Sequence, residues 1–212
     1  MVLVASTIEN GGRGEDRVVI RHTPDGVVVV LADGAGGVGG AAQAAQSVCE
    51  TLANRATGIE RTAGFWTSAV YEIDRLLSGS ATGGLSTAVV LEVAGGLAFG
   101  ASVGDSGAKM ISPTGVLDLT KHQLRKPLVG SGSARPVGFG PLPVEGRLLV
   151  ASDGLFKYAA TQELANRALQ GALENAVQQL VDCVRMPGGG LQDDVAVVLC
   201  EVTGIHPPAR RR

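Results

Sequence analysis

The chain is short of aromatic side chains, of cysteine and of any excess of charge. Aromatic residues make up 3% of its 212 positions, so the core has to be built from Ala, Val and Leu. Its three cysteines, Cys49, Cys183 and Cys200, form no C-x-x-C pair. An odd count within apolar-periodic segments argues against a disulfide framework and for buried free thiols. Three scattered histidines offer no Cys/His spacing for zinc. The formal net charge is −2, with no basic stripe or basic helix, so nucleic acid is not an expected partner. No apolar run approaches the roughly 18–20 residues that span a membrane, and no membrane partner is expected. The opening MVLVAST lacks the charged and apolar regions of a signal peptide and reads as a first strand. Together these absences point to a cytoplasmic protein.

What is present is a large apolar fraction, 45%, and 31 glycines. The length suits one domain with one sizeable core, taken as residues 1–204. The remainder, 205–212, is a short tail ending in Arg210, Arg211 and Arg212. Strand-like runs occur at Val2–Thr7, Arg17–His22, Gly26–Ala32, Thr87–Val93, Leu97–Val103, Ala108–Ser112, Arg147–Ala151 and Val195–Val202. Ala41, Ala45, Val48 and Leu52 repeat with helical period. Phe65 to Leu77 predicts a second helix. A short helix near Thr161 and a longer one through Leu173, Val177, Leu180 and Val184 follow. Strands and helices do not alternate one for one. The order favours an α+β layer arrangement with antiparallel sheets over a doubly wound parallel sheet. Lys121–Val144, rich in Gly, Pro, Ser and basic residues, predicts a long surface loop.

One stretch invites a nucleotide reading. VVVVLADGAGGVGG, residues 27–40, places Gly34, Gly36 and Gly39 in a G-x-G-x-x-G pattern after an apolar run. A dinucleotide fold then needs a second parallel strand, ending in an acidic residue about 20 residues on. Here Thr57–Thr62 leads into another helix. A phosphate-binding P-loop also fails, because no Lys-Ser/Thr follows the glycines.

The acidic residues carry more. Three apolar runs end in aspartate, at Asp33, Asp105 and Asp153. Two more acidic pairs, Glu15-Asp16 and Asp193-Asp194, precede apolar runs. One aspartate at a strand end is ordinary turn chemistry; five such sites in one chain are not. If the strand ends converge, unit charges ~4 Å apart repel by roughly 4 kcal/mol at an effective dielectric of 20. A divalent cation offsets that, and hard oxygen ligands suit Mg²⁺ or Mn²⁺.

In order along the chain stand Glu15-Asp16, Asp33–Gly37, Ser86–Val90, Val103–Ser106, Ala151–Leu155 and Asp193–Val198. These six segments resemble the successive motifs of the metal-dependent protein phosphatase 2C family, over nearly the whole chain. The resemblance implies a four-layer α-β-β-α sandwich, two antiparallel sheets flanked by helix pairs. It implies two Mn²⁺ or Mg²⁺ ions, with a weaker third site at Asp105. Asp33 would bridge both ions and the Gly34 carbonyl would serve the second. Asp153 and Asp193 would complete the first. Glu15 or Asp16 would serve the second, directly or through water. The implied reaction is hydrolysis of phosphoserine and phosphothreonine on proteins by a metal-bridging hydroxide attacking phosphorus in line. The implied partner is a phosphorylated protein, the product of a partner Ser/Thr kinase.

The chain departs from the family pattern in three places. The position of the usual phosphate-gripping Arg holds Gly11, and the nearest arginine is Arg13. That residue is either the grip or a solvated surface side chain. Ala35 and Val38 stand where members often carry Met or His, leaving no protein-borne general acid in that loop. The segment that usually helps choose substrates is reduced to about Lys121–Gly140, with Lys121, Arg125, Lys126 and Arg135 available to meet a phosphorylated partner. These departures keep a second reading open: a weak pseudophosphatase that binds a phosphoprotein or kinase as a regulator.

Overall fold

The computed structural model describes residues 1–35, 39–57, 61–80 and 83–203. The chain opens with strands β1 (Val2–Glu9), β2 (Asp16–Thr23) and β3 (Gly26–Ala35). Helices α1 (Ala41–Asn54) and α2 (Ala63–Ser78) follow. Next come β4 (Leu85–Ser86), β5 (Ala88–Ala94), β6 (Leu97–Val103), β7 (Gly107–Ser112), β8 (Gly115–Asp118), β9 (Val137–Pro143) and β10 (Arg147–Ala151). The last part holds α3 (Asp153–Phe156), α4 (Thr161–Ala168), α5 (Leu173–Asp182) and β11 (Val195–Val202).

The strands form two antiparallel sheets. One runs β1-β11-β10-β7-β8; the other runs β2-β3-β5-β6-β9, with β4 paired to β3. The sheets pack face to face, α1 and α2 cover one outer face, and α4 and α5 cover the other. The four-layer sandwich expected from the sequence is therefore the observed fold.

The valine run shows why. Along β3, Val27, Val29 and Leu31 point between the sheets, while Val28, Val30 and Ala32 point at α1 and α2. A strand buried on both faces reads as a continuous apolar run. The same alternation splits β11: Val195, Val197 and Leu199 meet α4 and α5, and Ala196, Val198 and Cys200 meet the other sheet. Each fully buried Val or Leu contributes roughly 1.5–3 kcal/mol. These strands hold the frame on which the acidic residues stand. Cys49 and Cys200 are buried free thiols and Cys183 is half-buried and free.

The single tryptophan anchors α2. Trp66 is fully buried, and its Nε1 donates to Glu92 Oε2 at 2.8 Å. Glu92, in the middle of β5, also accepts from Arg61 at 2.7–3.0 Å. Partnering of this kind is what allows a carboxylate inside an apolar run.

One expectation needs correction. Lys121–Val144 is not all loop, because Val137–Pro143 forms the edge strand β9 against β6. Its Gly and Pro content hid it. Proline is tolerated at a sheet edge, where its missing N–H leaves no ladder bond unmade. The irregular part is 119–136, and it is tied down. Val129 and Ser86 exchange backbone bonds at 2.9 and 3.0 Å, and Gly104 N donates to Leu124 O at 2.9 Å. Asp74 of α2, fully buried, accepts from the backbone N–H of Gly130, Gly132 and Ala134 at 2.8, 3.0 and 3.0 Å.

Candidate metal centre

The acidic strand ends meet at one end of the sandwich. β2 starts at Asp16, directly opposite Asp33 in the β2–β3 ladder. Asp105 lies in the turn between β6 and β7, Asp153 opens α3 just after β10, and Asp193 precedes β11. Arg13, Glu15, Asp33, Gly34, Asp105, Asp153 and Asp193 all line one cleft of about 780 Å³. Asp16 lies beneath its floor, 2% exposed. The structure thus brings together every candidate metal ligand the sequence picks out; of the four basic loop residues, Arg125 and Lys126 line the cleft, whereas Lys121 and Arg135 line other cavities. Ala35 lines the cleft as well; Gly36, Gly37 and Val38 fall outside the described residues.

The charges are poorly compensated. Burial, then the neighbouring Asp16 and Asp153, push the Asp33 carboxyl well above the ordinary carboxylate range. Burial also raises Asp16, although Ser152 and Asp33 hydrogen-bond it in its charged form. Both carboxyls are thus harder to ionise than a free aspartate when no cation is near. Burial, Asp105 and Asp193 raise Asp153, opposed by Lys157 and Arg125. Asp16 Oδ1 is buried without a hydrogen-bond partner among the described residues. An orphaned carboxylate oxygen in a nest of carboxylates fits a hard divalent cation. Among the described residues no three acidic, His or Cys side chains are grouped as a ready cage for one ion. Any ion held here would complete its shell with backbone carbonyls and water, as Mg²⁺-like ions do.

Hydroxyl groups orient the aspartates, and the sequence reading had missed them. Thr87 Oγ1 accepts from Asp33 N at 2.9 Å, and Thr87 N donates to Asp33 O at 2.8 Å. Thr87 Oγ1 also meets Ser106 Oγ at 2.8 Å, so the Ser-Thr and Asp-Ser motifs form one network. Ser152 Oγ donates to Asp16 Oδ2 at 2.7 Å and accepts from Ala196 N at 2.9 Å. Gly34 has its own reason: a Cβ there would sit 2.4 Å from Ala41 O, so only glycine lets α1 start this close.

The pair Asp193-Asp194 divides its labour. Asp193 faces the cleft, whereas Asp194, 6% exposed, turns to the 10–15 loop. Its carboxylate accepts from Gly11 N, Gly12 N and Glu15 N at 2.8, 3.1 and 2.7 Å. Burial pushes its pKa up, but backbone donors from Glu15, Gly12, Gly11 and Gly14 outweigh that and leave it lowered. Arg13 rides on this loop with its side chain 69% exposed, 4.0 Å from Glu15. Arg125, Lys126 and Lys157 stand in the cleft wall across from it.

No protein-family model matches the chain, and no curated protein matches it. Solved structures do. A bacterial serine phosphatase superimposes with a TM-score of 0.86 at 21% identity, over 98% of this chain and 100% of that one. The catalytic domain of the serine/threonine protein phosphatase PstP, in complex with two manganese ions, gives 0.81 at 19% identity, over 96% and 99%. The serine/threonine phosphatase Stp1 from Staphylococcus aureus gives 0.80 at 20% identity, over 96% of each chain. Over nearly its whole length, this chain has the fold of the bacterial serine/threonine phosphatases.

Proposed function

We propose that the chain is a metal-dependent phosphatase acting on phosphoserine and phosphothreonine in proteins. The observation that carries this is the convergence of Glu15, Asp16, Asp33, Asp105, Asp153 and Asp193 at one cleft, within a fold shared with such enzymes. Asp33, Asp153 and Asp193 are assigned as metal ligands, with the Gly34 carbonyl and the Glu15–Asp16 pair serving a second ion. Asp105 stands beside Asp153 and suits a weaker third. When bound, two such ions supply Lewis acidity, making water more acidic and offsetting charge on phosphoryl oxygens.

The protein's own groups do the rest. Asp16 and Asp33 would supply the anionic floor of the cleft beneath a bound cation. Ser152 fixes where the Asp16 carboxylate points, and Thr87, held by Ser106, fixes the Asp33 backbone. Arg13, Arg125, Lys126 and Lys157 surround the mouth with cations that attract and orient a phosphate dianion. Among the described residues no cysteine or histidine lines the cleft, and no Cys-His nucleophile pair is assigned.

Mn²⁺ and Mg²⁺ are the ions that fit, two per chain. Residues 1–204 are read as one catalytic domain acting in the cytoplasm on the products of a partner Ser/Thr kinase. The 205–212 tail lies outside the described residues. Purified protein with Mn²⁺ should hydrolyse p-nitrophenyl phosphate and a phosphothreonine peptide. EDTA, or Asp153→Asn, should reduce both to background. Intact Mn²⁺ binding without turnover would refute the enzyme reading and leave the phosphoprotein-binding regulator.

A further inference from the structure

A second cavity, of about 270 Å³, lies where the edge strands β8 and β9 leave a gap between the two sheets. Its walls are mostly apolar: Leu117, Leu119, Phe139 and Leu142. Asp118, Thr120, Lys121 and His122 add polar groups to the lining, and two further polar atoms are unsatisfied. Ser102 Oγ and Gln123 Oε1 are both buried, and neither has a hydrogen-bond partner among the described residues. Ser102 is 1% exposed. Its strand neighbours Ala101 and Val103 pack on the helical side, so Ser102 faces the space between the sheets. The orientation of Gln123 is fixed, because its Nε2 donates to Ser106 O at 2.7 Å. The oxygen is the end left unsatisfied.

Leaving a buried polar atom unpaired costs about 1–3 kcal/mol. Two in one cavity are a liability for the empty fold and an asset for a guest that pairs them. Size narrows the guest, since an apolar cavity of roughly 150 Å³ admits benzene. We propose that this cavity is a binding site for a small cyclic molecule of one or two rings that carries a hydroxyl. A hydroxyl can donate to Gln123 Oε1 and accept from Ser102 Oγ, while the ring fills the leucine- and phenylalanine-lined space.

The site adjoins the metal centre without sharing its wall. Gln123 holds Ser106, Ser106 Oγ meets Thr87 Oγ1, and Thr87 receives Asp33 N. A guest that engages Gln123 therefore touches the end of the network that positions Asp33.

Fluorine NMR with 4-fluorophenol, and with fluorobenzene as the partner lacking a donor, tests this on the full chain. The wild type should bind 4-fluorophenol saturably and roughly 25-fold more tightly than fluorobenzene, the weight of two hydrogen bonds. The amides of Ser102, Gln123 and Ser106 should shift together with saturation. Ser102→Ala removes a hydroxyl with no partner, so it should fold normally and cut the preference to roughly 5-fold, the weight of the bond to Gln123. Leu142→Trp should occlude both probes. Absence of saturable binding would leave an ordinary buried water as the occupant and overturn the proposal. So would equal affinity for the two probes, or a preference that Ser102→Ala leaves undiminished. None of these readouts needs turnover, so their failure is distinct from a failure of the phosphatase reading.

Discussion

Asp194 is predicted to be the clamp that keeps the 10–15 loop, and with it Glu15 and Asp16, in place. Three backbone N–H groups donate to its carboxylate at 2.7–3.1 Å. Hydrogen bonds to a charged group contribute about 1.5–3 kcal/mol each, so three at the lower bound give about 4.5 kcal/mol. Two effects work against the loss in Asp194→Ala. The repulsion between Asp194 and Asp16 disappears, returning on the order of 1 kcal/mol. Water also reaches the exposed Gly12 and replaces part of one bond. The net destabilisation should be about 3 kcal/mol, which for a chain of this length lowers Tm by about 6–12 °C. Asp194→Asn should cost less, about 2 kcal/mol. It can keep one oxygen for Gly11 and Gly12 but turns an amide donor toward Glu15 N–H. Urea denaturation gives the stability change and calorimetric titration gives the Mn²⁺ affinity, which should fall in both variants because Glu15 loses its anchor. Asp194→Ala within about 0.5 kcal/mol of wild type, with Mn²⁺ affinity unchanged, would refute the clamp.

Asp33→Asn should stabilise the protein in EDTA at neutral pH while abolishing the stabilisation that Mn²⁺ gives. Burial and neighbouring carboxylates raise Asp33 above its ordinary 3.8. The unfolded chain therefore releases this proton first, and metal-free stability falls as pH rises from about 4 through the raised pKa. Thermal melts across pH with and without Mn²⁺ show the sign. Arg61→Met should cost about 3–5 kcal/mol, because it removes the principal cation from the buried Glu92; tryptophan fluorescence of Trp66 follows the unfolding. Asp74→Ala should free the 130–134 backbone and raise KM for a phosphopeptide more than it lowers kcat. Limited proteolysis should then cut within 128–134, which it should spare in the wild type.

The candidate metal aspartates were legible because each borders a run of buried residues. Asp33 after VVVVLA and Asp153 after RLLVAS stand where a strand nears its end, and the ladder then sets Asp16 opposite Asp33. Their supporting hydroxyls were not legible. A Ser or Thr beside an Asp is ordinary in turns, and only the fold shows that Thr87 reaches Asp33 from 54 positions away. Asp193 and Asp194 are chemically identical neighbours. Only the chain path just before β11 sends one to the cleft and the other to the loop. Asp74 was hidden for the opposite reason, sitting in a helix whose polar residues are otherwise solvent-facing. Its partners lie 56–60 positions away. The edge strand β9 was hidden by glycine and proline, which weaken the periodic signal wherever an edge tolerates them.

The pairing of β1 with β11 sets an order of events for the living chain. Val2 faces Val202, and Glu9 faces Val195. β11 is also the strand between β1 and β10. A growing polypeptide can assemble the sheet under α1 and α2 long before β11 leaves the ribosome. The opposite sheet has to wait for β11, and closing a pairing that spans the molecule is entropically slow. Asp193 and Asp194 arrive with that same strand. The half-made protein thus has Asp33 in place but neither Asp193 nor the Asp194 clamp. The acidic cleft is complete only when the fold is, and a nascent chain lacks it until β11 docks.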